Sequence, residues 1–462
     1  MVGVIISLLV TIMVVVILLK KMKAQFVLFF GGLTLLVCSI AMDAFGLLPN
    51  GAQILPKGVA STGFIGFDLF KCITSLMSSR TAGIGLLIMS AAGYSKYMSM
   101  IGASAIMADY LCRPLRIFRS PYFVLSLAYI IGAIADLFIP SASGLAMLLM
   151  VTIYPVLVRL GASRLSAAAV IATVSCLDMG PTSGAANYAA QVAGMDTMTY
   201  FVEYQIPVGI VVTIAVAALH FFTQRYFDAK DGDKANEVDE ATAKQEKIDI
   251  KGAPAWYGLL PMIPLVLLIV FNRFVIDTVK LDVPTAMFIS FTVALCCELA
   301  RKAVKDVLNT GFEFFNMMGR QFATVITLIV AGELFAKGLI ATGTIDYLIA
   351  GTQNLGLPAY AIMIVVSFIS ISCVVMGSGN APFFAFAPLV PDFAQQFGVS
   401  TILLLMPMQL STGLARVMSP ITAVVVAVAG CSGISPFALV RRTAIPMTGG
   451  LIVMVLMTII LN

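Results

Sequence analysis

Charge is what this sequence has least of. Of 462 residues only 11% are Asp, Glu, Lys or Arg, where a soluble domain carries roughly 25%. Histidine occurs once, as His220, and tryptophan once, as Trp256. A lone histidine removes most schemes of acid–base catalysis. The chain also has no H-E-x-x-H pair, no phosphate-binding loop, no dinucleotide fingerprint and no Ser/His/Asp set, so nothing in it favours an enzyme. The eight cysteines (Cys38, Cys72, Cys112, Cys176, Cys296, Cys297, Cys373 and Cys431) form no C-x-x-C pair and no metal-ligand spacing. They read as small apolar packing residues, and no metal or cofactor is expected. His220 lies in an apolar stretch and reads the same way. The net charge of +5 implies no nucleic acid, because the basic residues sit in short loops between apolar runs.

Hydrophobic length is what the sequence does have. Apolar residues make up 60% of the chain and the mean hydropathy is +1.02. Runs such as Val2–Leu19, Val27–Leu48, Trp256–Phe271 and Thr285–Leu299 are long enough, or nearly so, for a bilayer core that needs about 20 apolar residues. The expectation is an all-α polytopic protein with about ten spanning helices, integral to the lipid bilayer of an inner membrane. In the first run the basic residues Lys20, Lys21 and Lys23 follow the apolar stretch instead of preceding it. That order suggests a retained helix with its N-terminus outside, not a secretory signal.

One stretch, 228–252 (DAKDGDKANEVDEATAKQEKIDIKG), is polar and of mixed charge, and reads as a solvated linker between a first repeat, 1–227, and a second, 253–462. The two sides match in short pieces that keep one order. PYFVLSLAYIIGAIADLFIPSASG from Pro121 parallels PAYAIMIVVSFISISCVVMGSGNA from Pro358, each breaking at a serine, Ser141 or Ser378. LGAS at 160–163 parallels FGVS at 397–400, MGPTSGAAN at 179–187 parallels MSPITAVVV at 418–426, and both halves end on Ile-Pro, at 206–207 and 445–446.

Basic residues give the halves a direction. Arg113, Arg116, Arg119, Arg159 and Arg164 have no basic counterparts in the matching second-half loops. Arg301, Lys302, Lys305, Arg441 and Arg442 stand where the first half has only Lys57 or nothing. Since positive loops favour the cytoplasm, the repeats read as inverted, with both termini periplasmic, the linker cytoplasmic and Arg442 reachable from the cytoplasm. Residues 121–158 have basic flanks at both ends and read as a re-entrant hairpin with its tip near Ser141–Gly144. Residues 359–391 would dip in from the other side, so that each repeat holds about five spans and one hairpin.

Four breaks of small polar residues, SASG, PTSG, GSGN and SPIT, therefore fall at matching places. Irregular backbone survives at membrane depth only inside protein or along a wet cavity. Helix N-termini at such breaks offer free N–H groups and partial positive charge to an anion. Paired interrupted segments are the sequence mark of a transporter's midplane site. The ionisable residues in the spans add Arg80, Lys96, Asp136, Asp178, Arg320, Glu333, Lys337 and Arg416. Arg80 and Arg416 abut breaks, and each could fork onto a carboxylate; alternatively Arg416 ties helices together through a carboxylate such as Asp178. Glu333 could carry a proton, or pair with Lys337 one turn on. The whole reads as a secondary transporter for small carboxylate anions, with an anion channel as the reading from another class.

The chain also resembles the DcuC-type anaerobic C4-dicarboxylate carriers, and more closely their DcuD-like branch. Ser79–Arg80, SASGLAMLLMVTIYP at 141–155, PTSG with AAQ at 181–191, GSGNAPF at 377–383, LARVMSPITAVVVAVAG at 414–430 and ISPFALVRRTAIP at 434–446 carry the likeness. The resemblance implies transport of fumarate, succinate, malate or related dianions by uptake, exchange or efflux, with a citrate-like or amide-linked acid as the alternative. A distant similarity to the larger ion-transporter superfamily implies elevator motion and a substrate held at hairpin tips. The substrate-binding candidates are Arg80, Ser141, Ser143, Thr182 and Ser183 in the first half, with Ser378, Asn380, Arg416, Ser419 and Thr422 in the second. The coupling-ion candidates are Glu333, Asp178 and Asp136, the ion being a proton or sodium. PTSGAAN lacks an acid that the DcuC-type pattern carries after PTSG, which leaves the ion open. A homodimer is expected.

Overall fold

The computed structural model describes residues 2–20, 22–48, 51–52, 54–56, 58–118, 120–231, 252–271, 275–276, 278–279, 281–344 and 358–461. Its regular elements are helical. The first half runs α1 (Val2–Leu19), α2 (Ala24–Ala44), α3 (Ile65–Arg80), a π-helical turn (Thr81–Gly85), α4 (Leu86–Met100), α5 (Ala103–Cys112), α6 (Pro121–Asp136), α7 (Ala142–Thr152), α8 (Tyr154–Arg159), α9 (Arg164–Thr173), α10 (Gly184–Val192) and α11 (Ile206–Asp231). The second half runs α12 (Ile263–Val270), α13 (Val283–Leu299), α14 (Val304–Gln321), a π-helical turn (Phe322–Ile326) and α15 (Thr327–Ala341). It continues with α16 (Pro358–Met376), α17 (Asn380–Phe386), α18 (Val390–Phe397), α19 (Thr401–Arg416), α20 (Ala423–Ser432) and α21 (Pro436–Ile460).

Five helical stretches among the described residues are long and apolar enough to cross a membrane, and shorter apolar helices fill the space between them. The packing recurs from one half to the other. Helix α15 lies along α2 as α4 lies along α13; α14 lies on α4 as α15 lies on α3; and α6 meets α9 as α16 meets α19. The last helices of the halves, α11 and α21, pack on each other. A π-helical turn interrupts the third long stretch of each half at the same place, after Arg80 and after Gln321.

Serines start several of the short helices. Ser141, Ser163, Ser183 and Ser378 accept backbone N–H bonds from Gly144, Ser166, Ala186 and Ala381. Each hydroxyl meets a donor that a helix start leaves free. The helix–break–helix form foreseen for 121–158 is present, as α6 followed by α7 and α8, and so is its counterpart, α16 followed by α17 and α18. Most of the stretch foreseen as a linker lies outside the described residues. Helix α11 continues to Asp231, however, and Asp228 is buried, so the beginning of that stretch is packed helix.

The arginines at 441 and 442 correct an expectation. Arg442 is not reachable from water: its side chain is 1% exposed, with Nη1 2.6 Å from Asp228 Oδ1 and Nη2 3.3 Å from Asp231. Asp228 also accepts from Ser163 and Ser166, and Gln224 donates to the Arg442 carbonyl. Its neighbour Arg441 is the exposed member of the pair. A buried charge needs this density of partners, because unpaired it would cost several kcal/mol. His220 belongs to the same interior, between Thr173 and Gln224 at 2.9 and 3.2 Å, in the packing role foreseen for it.

Candidate functional site

The first-half break is held open by side chains from around it. Thr182 Oγ1 donates to the Leu137 carbonyl (2.9 Å), joining PTSG to the end of the hairpin arm α6. Just before PTSG, Asp178 adopts φ 48°, the only described non-glycine residue in the left-handed region. Asp tolerates that conformation better than most residues. Two glutamines hold the turn: Gln409 Nε2 donates to the Asp178 carbonyl (3.0 Å) and Gly180 N–H donates to Gln205 Oε1 (3.0 Å). The glutamines also bond each other, at 2.8 Å. Asn187, one turn into α10, spends its NH2 on the carbonyls of Pro181 and Ser183.

Helix α19 carries the second half into this break. A Cβ on Gly413 would stand 2.2 Å from the Cys176 carbonyl oxygen, so only glycine allows the two backbones this close. One turn on, Arg416 Nη2 donates to the Ser175 carbonyl (2.7 Å), and Thr422 Oγ1 donates back to the Arg416 carbonyl (2.5 Å). The second hairpin tip closes on the same helix: a Cβ on Gly379 would meet the Thr412 carbonyl and Arg416 Cδ, and one on Gly377 would meet Ile421. Asp136, at the end of α6, lies within electrostatic reach of Asp178 and Arg416 and stands beside Ser175. Arg416 is therefore anchored through a backbone carbonyl, and not through Asp178.

Unspent polar atoms collect here. Arg416 Nε, Ser419 Oγ, Ser175 Oγ and Asn187 Oδ1 are buried without a hydrogen-bond partner. Buried polar groups are nearly always satisfied, so several orphans around two breaks make this the candidate place for a polar ligand. Helices α10 and α20 begin at these breaks, at PTSG and SPIT.

Arg80 sits in a second cluster. Its Nε lies 2.7 and 2.8 Å from the two oxygens of Glu333, and Tyr188 OH donates to Glu333 Oε1 at 2.8 Å. This corrects the foreseen Glu333–Lys337 pair: Glu333 turns to Arg80, while Lys337 donates to the Ile54 carbonyl. Helical spacing allowed the i,i+4 pair, but a guanidinium from another helix sets its Nε against both oxygens. Tyr188 stacks edge-on against Phe383 and Phe384 of α17, so the cluster abuts the inner arm of the second hairpin. Helix α10 joins the two clusters, with Ser183 at its cap and Tyr188 beyond its first turn.

The remaining candidates separate by burial. Thr182, Ser183, Ser419 and Thr422 are buried at the breaks; Ser143, Ser378 and Asn380 are half-buried at the tips, and Ser141 is exposed. No bond between the two tips is found among the described residues; the second tip contacts the break of its own half, Gly377 against Ile421. Gln205, Gln409, Asn187 and Tyr188 were not singled out from the sequence. A lone amide within TILLLMPMQLST was the available signal for Gln409. Among the described residues no cluster of His, Cys, Asp and Glu could hold a metal ion.

Comparison with known proteins agrees with this architecture. The model of a family described as DcuC, C4-dicarboxylate anaerobic carrier, matches residues 2–462. An anaerobic C4-dicarboxylate transporter DcuC of Escherichia coli K12 is 34% identical, over 95% of this chain and 92% of that protein. A probable one from Vibrio cholerae is 32% identical, over 100% of this chain and 98% of that protein. Among solved structures, the YdaH transporter of Alcanivorax borkumensis superposes with a TM-score of 0.63 at 14% identity, over 94% of this chain and 98% of that one. Neisseria gonorrhoeae MtrF, described within a class of antimetabolite efflux pumps, gives 0.62 at 12% identity, over 95% of each chain. At such identities these two speak for the fold alone.

Proposed function

The chain belongs to the DcuC family of anaerobic C4-dicarboxylate carriers, a multi-pass inner-membrane transporter family and not an enzyme family, and from that membership we propose that it moves fumarate, succinate or malate by alternating access. The observation that carries the choice of site is Arg416: a half-buried arginine whose Nε is buried and unspent, set between two helix breaks and the second hairpin tip. A carboxylate arriving there replaces water with a charge-assisted bond from Nε, hydroxyls from Ser419 and Ser175, and N–H groups from the starts of α10 and α20. Arg80 takes the far carboxylate of the dianion. Asp136 and Asp178 keep the region from being uniformly positive, which favours release as well as entry.

The recurrent packing of the two halves supports a repeat, and the asymmetry of basic residues between matching loops supports its inversion, with the termini periplasmic and the linker cytoplasmic. The glycine contacts at Gly377, Gly379 and Gly413 join the second hairpin tip to the two broken helices, and the Thr182–Leu137 bond ties the first hairpin arm to them. We read these elements as the part that moves, in an elevator of which two copies form the assembly. Uptake of labelled succinate by proteoliposomes, competed with fumarate, malate, citrate and an amide-linked acid, tests the substrate class. Competition by the C4 acids alone is the expected result; competition by citrate or the amide-linked acid without the C4 acids overturns the assignment.

A further inference from the structure

Without substrate, Arg80 is already occupied. Its partner Glu333 has a side chain only 6% exposed, whereas that of Arg80 is 31% exposed. Lys71, Thr74 and Ser78 extend the exposed side of α3 below Arg80, a polar stripe at helical spacing that suits water better than lipid. The carboxylate of Glu333 cannot follow Arg80 outward. Its helix is pinned on both sides by glycine contacts, Gly332 against the Phe384 backbone and Gly32 of α2 against the Leu334–Phe335 backbone. Arg80 is the more exposed partner and stands at an interruption of its helix, since the π-helical turn after it contains Gly83 at φ −86°, ψ −105°, outside helical geometry.

We propose that Glu333 is a stand-in for the substrate: it holds Arg80 when the site is empty, and takes up one proton when a substrate carboxylate displaces it. The proposal rests on the dicarboxylate reading above and adds the proton as the coupled ion. Both oxygens of Glu333 sit on Nε, so a substrate carboxylate that takes the Nε edge of the guanidinium displaces them. Once displaced, Glu333 would be an unpaired buried carboxylate, which burial disfavours strongly. A proton from the water along α3 binds its free oxygen and leaves a neutral acid. One carboxylate and one proton enter together, so the charge of the site is unchanged. The other titratable groups facing Glu333 are Tyr188 of α10, Cys72 of α3 and Lys337 of its own helix. The nearest residues of α2 and α17, Gly32 and Phe384, are not titratable. Tyr188 is a positioning residue here, donating to the charged form of Glu333.

Calorimetric titration of the detergent-purified full chain with succinate, in two buffers of different ionisation enthalpy at a pH where succinate is a dianion, counts the protons. The unaltered protein should take up about one proton per succinate bound, and Glu333→Gln should bind succinate with none. Equal uptake in both, or none in the unaltered protein, overturns the proposal. Should Glu333→Gln not fold, Tyr188→Phe decides, since it keeps both charges. It should move the pH dependence of proton uptake to higher pH by about one unit, and an unmoved profile overturns the role given to Glu333. A protein that binds neither succinate nor fumarate removes the dicarboxylate reading itself, a result distinct from binding without a proton.

Discussion

Replacing Arg416 by lysine separates a binding arginine from a bracing one. Nη2 is spent on the Ser175 carbonyl at 2.7 Å, while Nε is buried and free. Arginine can therefore brace the break and hold a carboxylate at once. Lysine keeps the charge but brings one nitrogen on a shorter stem, and must choose. If the Ser175 bond is kept, the loss is one charge-assisted bond to substrate, about 1.5–3 kcal/mol. That converts to a roughly ten- to 150-fold weaker affinity. The assay is succinate exchange in proteoliposomes across a concentration series, with the melting temperature in detergent measured alongside. The account predicts a KM raised by that factor and a melting temperature nearly unchanged. A KM within about twofold of the unaltered protein, with stability lost, would refute the binding role and leave Arg416 as a brace.

Asn380→Leu, at the second tip, should raise the KM for succinate by about 1–3 kcal/mol in equivalent binding energy with little loss of stability; an unchanged KM removes Asn380 from the site. Asp228→Ala should lower the melting temperature, because it strips Arg442 of its 2.6 Å partner. The cost is about 3–5 kcal/mol, reduced by whatever Asp231 recovers, while succinate affinity in the surviving protein stays as it was. For topology, cysteine at Glu240 or Arg441 should label from the cytoplasm and cysteine at Lys57 from the periplasm. Labelling of Lys57 and Glu240 from one side would undo the inverted arrangement.

The places where the chain stops being helical were legible, because glycine, serine and proline interrupt otherwise apolar runs and leave a local mark at 141–144, 181–184, 377–380 and 419–422. The partners were not. Glu333 and Arg80 are separated by 253 positions, and nothing local distinguishes that pairing from one with Lys337. Arg442 was misplaced for a related reason: consecutive arginines beside a loop look like an exposed basic patch, and only the return of α11 beside α21 puts Asp228 against the second of them. Gly413 was passed over because its role is an approach between backbones that sequence spacing does not encode. The glutamines at 205 and 409 are the instructive omission. An uncharged amide in an apolar helix is as costly to bury unpaired as many hydroxyls, and would have pointed to the strained turn at Asp178.

Transport by alternating access is the central claim, and solute counterflow tests it most directly. Purified protein in liposomes preloaded with unlabelled fumarate or succinate is diluted into a trace of labelled succinate, with no other gradient applied. The account predicts a transient accumulation of label above equilibrium, stimulated by the internal dicarboxylate and absent when the liposomes are empty. Label that only equilibrates, at a rate indifferent to what is inside, would contradict a carrier and leave a channel.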